Sequence, residues 1–181
     1  MPDGTYGAEV TCGADHAWSL DYGQAVAYAT ACVEQAAAAD HGTAVMRLFT
    51  EVGIPADAAG ECTRRSIGAM ADGERDKATR PLRFVPSVGR ARHPRPDAGR
   101  YLPVIEMKLD GKDIGVMSPQ DLRDHAIGVL GALTAAKLDE CVFQFLTECA
   151  DLDGGTARAV VGSLSEHMPC ADDSLSSGGG S

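Results

Sequence analysis

The chain has 181 residues, 44% hydrophobic and 23% charged, which suits one globular core or two small ones packed together and argues against general disorder. A formal net charge of −10 opposes a phosphate backbone or an anionic membrane surface, and aromatics at 5% leave few rings on which bases could stack. No apolar run approaches the roughly 18 residues that span a bilayer, and Met1-Pro2-Asp3-Gly4 lacks the basic-then-apolar pattern of a secretory signal, so the expectation is a cytoplasmic protein with no membrane attachment.

From the N-terminus, Ala8, Val10 and Cys12 alternate with Glu9 and Thr11, the period-2 pattern of a half-buried strand. Gly13-Ala14-Asp15 is a turn and Ala17 to Leu20 the return strand of a hairpin. Asp21 stands where a helix cap is needed, and Ala25, Ala29, Cys32, Val33 and Ala36 follow at helical spacing. A break at Asp40 is expected before a second helix that buries Ala44, Val45, Leu48, Phe49 and Val52. Gly53-Ile54-Pro55 then starts a third, with Ala58, Ala59, Cys62 and Met70 inward.

Residues 71–100 carry Pro81, Pro86, Pro94 and Pro96 among many charges and read as a basic linker with a short extended piece at Leu82 to Val85. Beyond it, Ile105, Met107 and Leu109 alternate with Glu106 and Lys108, Asp110-Gly111 supplies a tight turn, and Ile114 to Met117 returns. Ser118-Pro119-Gln120-Asp121 reads as a helix start, with Ser at the cap, Pro at the first helical position and acid in the first turn. Leu122, Ala126, Val129, Leu130 and Leu133 form its apolar face. After a break near Ala136-Lys137 comes a stripe of Leu138, Cys141, Val142, Phe145, Leu146 and Cys149, and Asp153-Gly154-Gly155 opens a further helix with Ala157, Val160, Val161 and Leu164. Residues 169–181 are a disordered tail by composition.

Sliding the chain against itself by 97 residues places Leu20 on Met117, Val45 on Val142, Leu48 on Phe145 and Thr50-Glu51 on Thr147-Glu148, with an offset of 98 beyond the loop near Gly53. Turns and helix starts coincide as well. The alternative is that any two hairpin-plus-helix segments would align this well. The expected fold is therefore α+β, mostly α: two pseudo-symmetric copies of a β-hairpin followed by about three helices, packed into one domain. Its parts are residues 1–70 (first repeat), 71–100 (basic linker), 101–168 (second repeat) and 169–181 (tail), the two halves relating by a pseudo-twofold axis with their hairpins joined in one small sheet.

Charge follows this division: residues 1–63 sum to −8, 64–100 to +6 and 101–181 to −8. The six cysteines (Cys12, Cys32, Cys62, Cys141, Cys149, Cys170) fall at irregular intervals without a C-x-x-C pair, which fits free thiols in a reducing compartment. Twelve arginines against four lysines, with abundant Ala, Gly and Asp, fit a GC-rich bacterial genome.

Chemical candidates are sparse. Cys12, Asp15 and His16 flank the first turn, yet Cys12 aligns with the inward Leu109 and the matching turn has neither Cys nor His, so packing explains it. His41, His93, His125 and His167 show no metal-ligand spacing, and His125 beside Asp124 reads as surface because adjacent helical residues diverge. The Asp110–Asp113 and Asp151–Asp153 segments lack the closing Glu of a calcium loop. The helix after Gly155 offers only Arg158 to a phosphate, too little for a recognition helix. Neither catalytic residues, nor a metal site, nor a cofactor is assigned.

The leading expectation is a non-enzymatic accessory or regulatory protein acting by protein–protein interaction, with a partner the sequence does not name. One alternative is a small enzyme or ligand-binding protein with a site between the two repeats, using Glu9, Asp15, His16 or Trp18. A second is a weak nucleic-acid binder through Arg83, Arg90, Arg92, Arg95 and Arg100, which the acidic flanks disfavour.

Overall fold

The computed structural model describes residues 7–12, 16–71, 82–90 and 101–167. The turn expected at residues 13–15 and the tail expected at 169–181 lie outside the described residues. Over the described residues the protein is α+β and mostly helical, with four helices and two small sheets. In chain order the elements are β1 (Gly7–Cys12), β2 (His16–Asp21), α1 (Tyr22–Glu51), α2 (Ala56–Ala71), β3 (Leu82–Arg90), β4 (Tyr101–Leu109), β5 (Lys112–Met117), α3 (Pro119–Glu148) and α4 (Gly154–His167). The chain divides into two compact units, one of residues 1–22 with 131–181 and the other of residues 23–130, so the division falls inside α3.

Each expected hairpin plus helix is present, but two helices follow it rather than three. Neither Asp40 nor Ala136-Lys137 interrupts its helix, and α1 and α3 each run 30 residues. In α1 the reason is visible at Gly42, where a Cβ would lie 2.3 Å from Ile67 Cδ1 and 2.7 Å from Ile67 Cγ1. The glycine lets α2 pack against the middle of α1, and that contact outweighs the roughly 1 kcal/mol that Gly costs a helix relative to Ala. At Ala136-Lys137 both residues are good helix formers, and no breaker acts there.

Continuity of the helices inverts part of the expected core. The buried stripe of α1 is Ala25, Ala29, Cys32, Ala36, Ala39, Thr43 and Met46, stepping alternately by four and three residues along one face. In α3 the same stepping takes in buried Leu122, Ala126, Val129 and Leu133, then half-buried Ala136, Glu140, Phe143 and Thr147. Residues expected inward after the supposed breaks therefore point the other way. Leu48 is 55% exposed, Val52 65%, Leu138 52% and Phe145 60%. In the shorter helices Ala59, Thr63 and Ile67 face inward on α2, and Ala157 and Val161 on α4. Ala58 and Cys62, expected inward, are exposed.

The hairpins do not join. β1 and β2 form a two-stranded sheet, while β3, β4 and β5 form a separate antiparallel sheet in that order. The extended piece expected at Leu82 to Val85 is the start of β3, which pairs with β4 from Leu82↔Leu109 to Arg90↔Tyr101 inside the segment read as linker. Pro86 sits within it, tolerated because β3 is an edge strand that need not donate every amide. Central Ile105 is fully buried. Asp110 and Gly111 take φ values of 49° and 80° and close a two-residue loop between Leu109 and Lys112, the left-handed pair that the right-handed twist of a hairpin favours.

Helix starts follow the sequence signals. Asp121 N–H donates to Ser118 Oγ and Ser118 N–H donates to Asp121 Oδ2, both at 3.1 Å, a reciprocal capping box; the Ser118 hydroxyl, donating to Asp121 Oδ2 at 2.8 Å, and then the Ser118 amide hold that carboxyl below its ordinary range. Asp153 accepts from the Gly155 and Thr156 amides at 2.9 and 3.1 Å and from the Thr156 hydroxyl, and is likewise lowered. The loop joining α3 to α4 is one residue longer than that joining α1 to α2.

Candidate functional site

The hairpin residues of interest do not converge. The pairing Val10↔Trp18 puts Trp18 on the face that buries Ala8, Val10 and Leu20, whereas Glu9 pairs with Ser19 on the opposite, exposed face. Trp18 is half-buried with its indole N–H buried and without a hydrogen-bond partner among the described residues. His16 opens β2 and Asp15 lies outside the described residues. Of the arginines, Arg83 is exposed on β3 opposite Lys108, Arg90 ends that strand, and Arg92, Arg95 and Arg100 lie outside the described residues.

Sequence reasoning missed an aromatic cluster in the unit of residues 23–130. Tyr28 of α1, Phe84 of β3 and His125 of α3 meet with ring centroids 5.7–6.3 Å apart, and the Tyr28 hydroxyl hydrogen-bonds His125 Nε2 at 2.9 Å. His125 is half-buried, not on the surface, and burial pushes its imidazole below the ordinary value because the charged form loses water. Arg123, two residues before, pairs with Asp40 of α1. These contacts fasten the start of α3 to α1. The signal was present in the spacing: Tyr28 and His125 are 97 residues apart, the offset of the internal alignment.

In the same unit a groove of about 450 Å³ runs between α2 and β3, walled by Met46, Thr63, Ile67, Val85, Pro86 and Val88. Its charged rim residue Arg64 is engaged by Glu61, which also holds Arg65. An apolar trough of this kind can hold a greasy body, but it brings no acid and base together for chemistry. A smaller hollow of about 350 Å³ in the other unit is lined by Tyr22, Leu133, Ala136 and the Lys137–Glu140 ion pair. Among the described residues no three His, Cys, Asp or Glu side chains cluster as metal ligands. No described helix is long and apolar enough to cross a membrane.

The end of α3 carries an outward apolar surface. Because α3 keeps its inward register past residue 136, the stripe of Leu138, Cys141 and Phe145 lies opposite Phe143 and Thr147 and faces outward, with Val142 and Leu146 half-exposed beside it. On α1 the residues 97 positions earlier are His41, Ala44 and Leu48, all exposed, and exposed Val52 follows just past the end of the helix. Val160 and Leu164 are exposed on α4 at 37% and 50%. Cys62, Cys141 and Cys149 are exposed thiols and Cys32 is a buried one, none of them in a disulfide. Single exposed apolar residues are ordinary, but a second apolar stripe on a helix that already has a buried one calls for a cause. Comparison of the chain with protein-family models, curated proteins and solved structures finds no match in any of the three.

Proposed function

We propose that the protein is a non-enzymatic accessory or regulatory protein that binds another polypeptide through the outward apolar stripe of α3, and that the chain consists of two copies of one module. The observation that carries the binding role is that stripe: Leu138, Cys141 and Phe145 at i, i+3 and i+7, the spacing with which a helix meets another helix. Phe145 at 60% exposure and Leu138 at 52% each leave about 1–2 kcal/mol of apolar transfer ungained. Association costs about 4–15 kcal/mol before any surplus appears, so a partner must add further contacts to the apolar ones.

Support for duplication goes beyond element order. The inward positions of α1 at 25, 29, 32, 36, 39, 43 and 46 map by 97 residues onto those of α3 at 122, 126, 129, 133, 136, 140 and 143. Thr50 donates to the carbonyls of Met46 and Arg47, and Thr147 to those of Phe143 and Gln144. Exposed Leu48 and Phe145 are also equivalent. A module that leaves the same face open twice supports a role for the face. The free thiols support a reducing, cytoplasmic setting.

The test is photo-crosslinking in the native host from a benzoylphenylalanine placed at position 145, with position 158 on α4 as a control. A discrete product from 145 that is lacking from 158 is expected. Equal diffuse labelling from both positions rejects a docking role for the stripe.

A further inference from the structure

We infer that the partner segment docked on α3 is an amphipathic helix with Lys or Arg beside its apolar face, an inference that rests on the binding role proposed above. The acidic end of the stripe argues for it. Glu148 sits in the last turn of α3, where the carbonyl end of the helix dipole is already negative, and no basic residue stands in that turn. Exposed Asp151 stands three residues further on. Like charge gathered at a helix C-terminus is unfavourable by itself, and no described residue forms an ion pair with Glu148. The nearby cation Arg158 lies instead over the Phe143 ring, 5.9 Å from its centroid. Lys137 is held by Glu140 on the same helix.

The equivalent end of α1 repeats this arrangement. Glu51 occupies its last turn, again with no basic residue there, next to exposed Leu48 and Val52. Apolar side chains ending in a carboxylate that no described residue pairs, at the negative pole of a helix, suit a cationic amphipathic segment. They disfavour pairing of α3 with α3 of a second copy, because the basic residues of that helix, Arg123 and Lys137, are already held by Asp40 and Glu140.

The test uses the full chain and fluorescence anisotropy with three labelled synthetic peptides of equal length. One carries Leu at i, i+3, i+4 and i+7 with Lys elsewhere, the second replaces every Lys with Glu, and the third scrambles the Leu/Lys order. Binding of the first alone is expected, weakened about tenfold or more by Phe145→Ser, which leaves charge unchanged, and about two- to fivefold by Glu148→Gln. Circular dichroism of both variants must match the parent. Equal binding of the Glu peptide through Phe145 overturns the charge inference and leaves the docking role standing. Equal binding of the scrambled peptide, or insensitivity to Phe145→Ser, shows general attraction to an acidic protein and overturns it too. Self-association by sedimentation that Phe145→Ser abolishes names a second copy as the occupant and overturns it. If the position-145 crosslink also fails, the binding role falls with it.

Discussion

Replacing Gly42 with alanine asks directly whether α1 continues through residues 40–42 against α2. In an open helix this change stabilises by about 1 kcal/mol through backbone entropy. Here the new methyl would fall 2.3 Å from Ile67 Cδ1, 2.7 Å from Ile67 Cγ1 and 3.3 Å from Thr63 Cγ2, where carbon pairs prefer about 3.5–4.0 Å. Relief requires Ile67 to leave its rotamer or α2 to back away, and overpacking of this kind costs about 1–3 kcal/mol. The net expectation is a loss of about 1 kcal/mol. Ile67 is 7% exposed, so Ile67→Ala alone should cost about 2–5 kcal/mol. In that background the methyl added at position 42 enters vacated space, and Gly42→Ala should become stabilising by about 1 kcal/mol. Urea denaturation of the four proteins gives the cycle, with a coupling of about 2 kcal/mol expected. Stabilisation by Gly42→Ala in both backgrounds would mean that the two helices do not meet there, and the continuous-helix account would be wrong.

Stability should fall as pH drops below about 6.5, because burial lowers the His125 pKa. Above the ordinary value near 6.5 the imidazole is neutral whether folded or not; as pH falls from there through the lower folded value, the unfolded chain takes up the proton first and gains. Melting temperatures of the parent and of His125→Gln should diverge across that window, and parallel curves would contradict the assignment. Tyr28→Phe leaves Nε2 without its partner and should cost about 1 kcal/mol by denaturant titration at pH 7.5; a neutral result would remove the hydrogen bond from the account. Ser118→Ala should cost about 1 kcal/mol by losing the cap of α3, read as a lower denaturation midpoint; an unchanged midpoint would contradict the cap.

What can be read in advance is local chemistry. Asp110-Gly111, Ser118-Pro119 and Asp153 each act through groups two or three residues away, so the sequence neighbourhood contains the whole cause. Reading fails where the cause is tertiary. Residues 40–42 look like a helix break in the sequence because the partner of Gly42, Ile67, lies 25 residues on. Assuming that break, and its counterpart at Ala136-Lys137, turns the next apolar residues inward and makes core of Leu48 and Phe145. Pro86 obscures β3, since only an edge position makes it tolerable. The neighbour Asp124 says nothing about His125, whose actual partner Tyr28 lies 97 residues earlier in the chain. For the candidate site, residue types alone draw attention to the first turn, while the apolar face of α3 emerges only when the helix register is known.

The cysteines report that register without any engineered probe. Native thiol modification by iodoacetamide, read site by site by mass spectrometry, should label Cys141 on the outward side of α3, and Cys149 just past its end, as readily as Cys62, while Cys32 in the buried stripe of α1 resists until the protein unfolds. The Leu/Lys peptide should slow Cys141 and leave Cys62 unchanged. If Cys141 and Cys149 are instead as protected as Cys32 in the free protein, the stripe belongs to the core, and the α3 docking face does not exist.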